Sequence, residues 1–279
     1  MKLILENFKK FEQQTLNEQD QLTNQTSFKI FDNNPKAAAE FMNNLLKGGE
    51  LFKQLQAAQV KKGKPQWFQT KTVEELKNWV NSIGGVEVFA KRAAYIGKLI
   101  PSQGLAKKDM PFLPGPPDAT GDVKDVEDAL TPGGKYNVDI VEKTEAPPTN
   151  TFVGMDSEEA VDYMTKGLKD GDPNDDKIEI QLGGSFAAKD GIPTQTNILI
   201  AKALGMAVKG LKGGDLGAYA SLDNEILDGH HRWASTILND PNASIGTIAK
   251  IDMKKAGMRD TLKHLTAIGN ALGNEAKIE

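Results

Sequence analysis

The chain has 279 residues, of which 39% are hydrophobic and 26% are charged, and its formal net charge is -4. This length allows one large or two ordinary domains. The negative net charge disfavours electrostatic binding of nucleic acid by the chain as a whole. The absence of cysteine excludes disulfides, thiolate metal sites and cysteine nucleophiles, and no apolar run approaches the ~18 residues that span a bilayer, so no membrane partner is predicted.

Helical patterns dominate the start of the chain and predict an α-helical N-terminal region over residues 1–100. The opening segment, 1–11, has the spacing of a short amphipathic helix and lacks the cleavage pattern of a secretory signal. Pro35 fits the first turn of the next helix. Two glycines interrupt this helix at 48–49, after which the apolar spacing resumes to about Val60.

A second helix and a linker complete this part of the chain. Thr72, with Glu75 three residues further on, predicts a capping box at the start of a helix. Gly84-Gly85 breaks this helix, and the helical pattern resumes as far as Ile100. Residues 101–134 have the composition of a linker and place the domain boundary here. This segment is crowded with prolines, at Pro101, Pro111, Pro114, Pro116, Pro117 and Pro132.

The pattern changes after the linker, and residues 135–279 are predicted to form an α+β domain. Strict alternation of apolar residues predicts a strand over 177–182, and a long loop follows it. The predicted elements are, in order, short strands near Val138, Ile140 and Phe152, a helix over 156–168, the strand 177–182, a helix from Ile198 to Leu211, a hairpin of 216–221 with 225–227, a helix after Asp228-Gly229, a strand over 245–251 and a helix over 259–272.

The segment Asp228–Arg232, with the sequence Asp-Gly-His-His-Arg, is the strongest candidate for a functional site. The apolar pair Ile226-Leu227 leads into a tight Asp-Gly turn, where a helix is expected to begin. The free N–H groups and the positive dipole of a helix N-terminus attract anions. His231 and Arg232 in that first turn add donors. The sequence therefore predicts a compact phosphate-binding corner.

The order of strand, Pro-Thr-Gln loop (193–195), helix, hairpin and Asp-Gly-His-His-Arg helix resembles the ParB/sulfiredoxin fold over roughly 177–240. The resemblance implies a mixed-sheet domain in which the Gly-x-x-Arg segment holds nucleotide phosphates, with His231 and Arg232 as the matching pair. His230 stands where sulfiredoxins have their nucleophilic cysteine, which excludes sulfiredoxin chemistry. The motif is most similar to the free serine kinase branch, whose members transfer a phosphoryl group from a nucleotide.

The resemblance implies a nucleotide-dependent phosphotransferase or nucleotide hydrolase that binds ATP or another nucleoside triphosphate together with Mg²⁺. Phosphoryl transfer requires charge neutralisation and positioning, and Mg²⁺ requires carboxylate oxygens. The acceptor is expected to be a small molecule or a nucleic acid. The candidate catalytic residues are Asp228 and Glu225, the candidate metal ligands are Asp228 and Asp190, and the candidate nucleotide-binding residues are Gly229, His230, His231, Arg232, Thr194, Gln195 and Lys189.

Simpler interpretations of these residues remain open. Asp228 is also a typical cap for the following helix, and His230 is equally explained as a packed or exposed side chain. A second functional hypothesis follows from the ParB-like nucleases of the wider family, in which the chain binds or cleaves nucleic acid. A basic strip near the C-terminus would serve this function and consists of Lys250, Lys254, Lys255, Arg259 and Lys263.

The opening segment carries a second resemblance, to the short leader segments of proteins from T4-like tailed phages. Leu16-Asn17-Glu18 also fits the hydrophobic-x-Glu pattern after which the prohead proteases of such phages cut. This resemblance implies a phage structural or internal head protein with a non-catalytic ParB-like domain, whose partners are phage head proteins. The expected location is the cytoplasm of the host cell, or the virion if the protein is packaged.

Overall fold

The computed structural model of the protein describes residues 27–57, 68, 70–102, 178–210 and 217–253. In these residues it shows a mixed α+β architecture, which confirms the predicted fold class at that level. None of the helices in the described ranges is long and apolar enough to cross a membrane. Several predicted elements lie outside these ranges, namely the helix over 1–11, nearly all of the linker 101–134, the strands near Val138, Ile140 and Phe152, and the helices over 156–168 and 259–272.

The N-terminal part contains helices α1 (Pro35–Leu45), α2 (Glu50–Ala57), α3 (Val73–Ser82) and α4 (Val86–Leu99). The side chain of Asn34 caps α1, and proline occupies the first helical position as predicted. Thr72 and Glu75 form the predicted capping box at α3. Gly85, with φ 95°, separates α3 from α4, which confirms the predicted break. Helices α1 and α3 therefore each begin at a side-chain cap.

A 3₁₀ turn, Phe28–Phe31, lies against α4 at Gly97. A Cβ at position 97 would collide with the carbonyl oxygen of Phe28, so a residue without a side chain is required here. This close approach brings Ser27 into an isolated antiparallel bridge with Leu199. The first described residue of the chain is thereby tied to the C-terminal part of the molecule.

The C-terminal part contains one mixed sheet of strands β1 (Ile178–Leu182), β2 (Ser185–Ala187), β3 (Ile192–Pro193), β4 (Ala218–Ala220), β5 (Glu225–Asp228) and β6 (Ser244–Met253). The order across the sheet is β1-β6-β4-β5-β3, and β2 also pairs with β6. Strand β4 runs parallel to β6, and β3 runs parallel to β5, while the other pairs are antiparallel. The strand predicted at β1, the hairpin β4–β5 and the strand β6 are confirmed, whereas β2 and β3 lie in a segment predicted as a loop.

Helices α5 (Ile200–Lys209) and α6 (His230–Asn239) pack against each other beside the sheet. Helix α5 ends at Gly210, which adopts the left-handed conformation with φ 81°. The sequence predicted an end at about Leu211, and the observed end at Lys209 is close to it. The N–H of the left-handed Gly210 satisfies the carbonyls of Met206 and Ala207 and ends the helix. Helix α6 begins directly after Gly229, as predicted.

The helical part and the α+β part share one hydrophobic cluster of buried side chains. Polar side chains of the helical part also contact the C-terminal part. The indole Nε1 of Trp79 on α3 donates to Oδ1 of Asn239 at 2.7 Å. Arg92 on α4 donates to the carbonyl oxygens of Leu238 at 2.8 Å and Asn239 at 2.7 Å, so it satisfies the last carbonyls of α6. The helical part therefore supports the C-terminal end of α6.

Candidate functional site

The turn between β5 and α6 is built on Gly229, whose φ is 101°. Glycine adopts this left-handed backbone without the steric cost that a Cβ imposes. Gly229 is the N-cap of α6 and offers no side-chain hydrogen bond to the helix, and the first turn carries no acidic side chain. The N-terminus of a ten-residue helix therefore lies at the end of β5 without a side-chain cap or a nearby anion from its own first turn.

The guanidinium of Arg232 folds back over this turn. Its NH2 donates to Oδ2 of Asp228 at 3.0 Å, and its NH1 donates to the carbonyl oxygen of Gly217 at 2.6 Å. A Cβ built on Gly229 would lie 3.4 Å from Nε of Arg232, which places the guanidinium beside the helix N-terminus. The structure thus brings together three of the predicted site residues, Asp228, Gly229 and Arg232. It also shows that the guanidinium is already paired with a carboxylate.

Tyr219 is a residue of this site that the sequence analysis missed. It lies on β4 directly opposite Asp228 in the antiparallel pairing with β5, and it is fully buried. Burial raises the pKa of Tyr219, and the charge of Asp228 raises it further, while Arg232 acts in the opposite direction. The hydroxyl therefore stays protonated at neutral pH. Only the register of the hairpin, which local sequence patterns do not define, could have placed it here.

His230 is buried and its ring binds the Pro-Thr-Gln loop. Its Nε2 accepts from the backbone N–H of Thr194 at 3.1 Å and of Gln195 at 3.2 Å. Burial lowers the pKa of His230 to about 3, and the charge of Arg232 lowers it as well, whereas a hydrogen bond with the backbone of Ile226 raises it. The imidazole is therefore neutral. The structure thus brings Thr194 and Gln195 next to His230, where their backbone N–H groups hold the loop to the imidazole.

His231 makes a second anchor on the same loop. Its side chain is largely buried, and its Nε2 accepts from the backbone N–H of Leu199 at 3.1 Å. Leu199 is also the residue that bridges to Ser27. The two adjacent histidines on α6 therefore bind the two ends of the loop that precedes α5. In this arrangement both imidazoles accept hydrogen bonds from backbone, which for His230 agrees with the alternative of a packed side chain. Contact of His231 with a phosphate stays a prediction.

Lys189 and Asp190 lie at the other end of α6. The backbone N–H of Lys189 donates to the carbonyl oxygen of Pro241, which follows the C-terminus of α6. A helix of ten residues is about 15 Å long, so this contact lies far from the turn at Gly229. This contact places the backbone of Lys189 at the C-terminal end of α6, away from the predicted phosphate-binding corner. A role of Asp190 as a metal ligand stays a prediction.

Glu225 begins β5, three residues before Asp228. The β4–β5 pairing shifts register between Tyr219 and Ala220, so simple alternation does not hold along β5, and a catalytic role for Glu225 stays a prediction. In the described ranges no group of three or more histidine or acidic side chains could hold a metal ion. Of the predicted metal ligands, Asp228 is the one that lies at the α6 N-terminus, and its side chain is 36% exposed.

One residue of the predicted basic strip, Lys250, falls within the described ranges. Its Nζ donates to Oδ1 of Asn224 at 2.8 Å and lies 5.9 Å from the centre of the Phe186 ring. The other four members of the strip lie outside the described residues. The structure therefore gives the strip no defined surface.

Comparisons of the chain with protein-family profiles, curated proteins and solved structures find no match.

Proposed function

We propose that the chain is a ParB/sulfiredoxin-like protein that binds a nucleoside triphosphate at the N-terminus of α6 and acts as a nucleotide-dependent phosphotransferase or nucleotide hydrolase. The observation that carries this proposal is the position of Arg232, whose guanidinium lies beside Gly229 at a helix N-terminus without a side-chain cap. Backbone N–H groups, the helix dipole and a guanidinium converge there, and these are the groups that bind phosphate in proteins.

The pairing of Arg232 with Asp228 favours a nucleotide that carries Mg²⁺ over a bare anion. A bare phosphate would meet the carboxylate of Asp228 as well as the guanidinium, and like charges repel. Mg²⁺ is commonly bound through one or two carboxylates together with phosphate oxygens, so the half-exposed Asp228 fits this ion. When bound, the nucleotide would supply the phosphoryl group, and Mg²⁺ would neutralise part of the negative charge of its phosphates. We therefore expect nucleotide binding to depend on Mg²⁺.

The remaining residues act by holding the site together. His230 and His231 fix the loop before α5 through backbone N–H groups of Thr194, Gln195 and Leu199. Because His230 is neutral and its Nε2 accepts hydrogen bonds from this loop, it provides no positive charge for a phosphate. We assign both histidines as positioning residues, with Arg232 and the first backbone N–H groups of α6 as the phosphate-binding groups.

Isothermal titration with ATP and Mg²⁺ tests this proposal. Replacement of Arg232 by alanine removes the guanidinium from the turn, and a charge-assisted hydrogen bond to phosphate contributes enough that affinity should fall about tenfold or more. Omitting Mg²⁺ should weaken the binding of ATP to the wild-type protein as well.

A matched control separates this effect from a general loss of positive charge. Lys36→Ala removes an exposed cation from α1, on the helical part of the molecule, and should leave the affinity unchanged. Circular dichroism of all three proteins confirms that each is folded. Equal heats from the wild type and Arg232→Ala would refute nucleotide binding at this turn.

A further inference from the structure

The hydroxyl of Tyr219 is a buried polar group that lacks a hydrogen-bond partner. In the described ranges it is one of two such side-chain atoms, the other being Oδ1 of Asn197. Tyr219 is 0% exposed, so solvent at the surface does not reach it. An unpaired hydroxyl is unfavourable in a protein interior, and native structures keep few of them. This atom therefore requires an explanation.

The location of Tyr219 connects the hydroxyl with the turn at Gly229. Residues directly opposite each other in an antiparallel pair project from the same face, and Tyr219 is opposite Asp228. Asp228 in turn binds Arg232 at 3.0 Å. The charge of Asp228 raises the pKa of the phenol and that of Arg232 lowers it. The unpartnered donor and the helix N-terminus therefore belong to the same small region.

We infer that Tyr219 is a ligand-binding residue of this site, and that its hydroxyl donates a hydrogen bond to an oxygen of the phosphate group held at the N-terminus of α6. This inference rests on the proposed function. A phenol that stays protonated is a neutral donor, and phosphate oxygens are acceptors. It complements a phosphate beside Asp228 without adding a second negative charge to the site.

The test compares the wild type with Tyr219→Phe by isothermal titration with two probes, Mg²⁺–ATP and Mg²⁺–tripolyphosphate. Phenylalanine keeps the ring and removes only the hydroxyl. We expect the affinity for both probes to fall about tenfold, since a hydrogen bond from a neutral donor to a charged acceptor is lost. In the absence of ligand the melting temperature should be unchanged or higher, because an unpaired buried hydroxyl has been removed.

Tyr95→Phe is the matched control. The hydroxyl of Tyr95 donates to the carbonyl oxygen of Lys189 at 2.9 Å, near the opposite end of α6 from Gly229. The same chemical change there removes a formed hydrogen bond, so it should lower the melting temperature and leave both affinities unchanged.

The outcomes distinguish this inference from the proposed function. If the wild type binds neither probe, the proposed function and the inference both fail. If the wild type binds and Tyr219→Phe binds equally well, only the inference fails. It also fails if Tyr219→Phe weakens ATP but not tripolyphosphate, because the hydroxyl would then contact the nucleoside. A lower melting temperature with unchanged affinity would show that the hydroxyl is bonded within the protein or to a buried water.

Discussion

His230 shows how much the role of one residue depends on its surroundings. A histidine in an Asp-Gly-His-His-Arg sequence suggests a group that contacts a ligand, yet here the imidazole is buried and binds two backbone N–H groups of a loop. A charged imidazole would lose these bonds, since Nε2 could no longer accept them. The protein therefore keeps His230 neutral, and this has a measurable consequence for stability.

The consequence is a specific dependence of stability on pH. The pKa of His230 is lowered from 6.5 to about 3 in the folded protein, so the unfolded chain binds more protons in this interval. The stability that the neutral imidazole contributes is fully present above about pH 6.5. As the pH falls below this value, the free energy of unfolding decreases by up to roughly 1.4 kcal/mol per pH unit. His230→Gln, whose amide oxygen can accept but does not titrate, should lose less stability between pH 7 and pH 4, measured by urea unfolding. Equal losses in both proteins would contradict this assignment.

At the scale of the element, α6 combines the candidate site with its supports. Gly229 begins the helix in a conformation that favours glycine, and Arg92 satisfies carbonyls at its end. Between these ends the helix contributes His230 and His231 to the loop before α5. The geometry of the first turn is therefore fixed by contacts along the whole helix.

Gly229→Ala should disturb this element more than a comparable change elsewhere. Gly210 has a similar left-handed conformation with open space around it, so Gly210→Ala should cost roughly 1–2 kcal/mol for the backbone alone. A Cβ at Gly229 would also lie 3.2 Å from Cβ of Ala218 and displace Arg232. We expect a larger loss of unfolding free energy in urea and weaker binding of Mg²⁺–ATP. Equal losses in the two variants, with unchanged binding, would show that the turn accommodates a side chain.

The elements that the sequence predicted well are those whose signals are local. The capping box of Thr72 and Glu75 and the glycine before α6 each act within a few residues, and both were confirmed. Strands β2 and β3 were missed because two or three residues carry no alternating pattern, and their pairing with distant strands defines them. The position of Tyr219 opposite Asp228, and the hydrogen bonds from the loop before α5 to His230 and His231, likewise depend on contacts between separate segments of the chain.

At the scale of the whole molecule, the helical part and the α+β part share a single core. Phe89 on α4 and Trp233 on α6 belong to one hydrophobic cluster, and Trp79 binds Asn239 across the same interface. The sequence placed a boundary between two domains in the segment 101–134, almost all of which lies outside the described residues. A shared core of this kind favours unfolding as one unit.

We therefore expect one cooperative transition. Amide hydrogen exchange, followed by mass spectrometry across a urea series, should give the same midpoint for peptides from α4 and from α6. The comparison needs no substitution, since each peptide serves as the reference for the other. Two clearly separated midpoints would show that the helical part is an independent domain that merely touches the sheet.

The close packing at Gly97 also affects the loop before α5. Because Gly97 on α4 has no side chain, the turn Phe28–Phe31 can pack closely against this helix. Ser27, just before the turn, pairs with Leu199, and the backbone N–H of Leu199 also donates to His231. A bulkier residue at 97 would lift this turn and withdraw one neighbour from the loop beside the candidate site. Across relatives of this chain, we expect a small residue at position 97 to accompany a histidine at position 231. Independent variation of the two positions would show that this contact is not conserved as a unit.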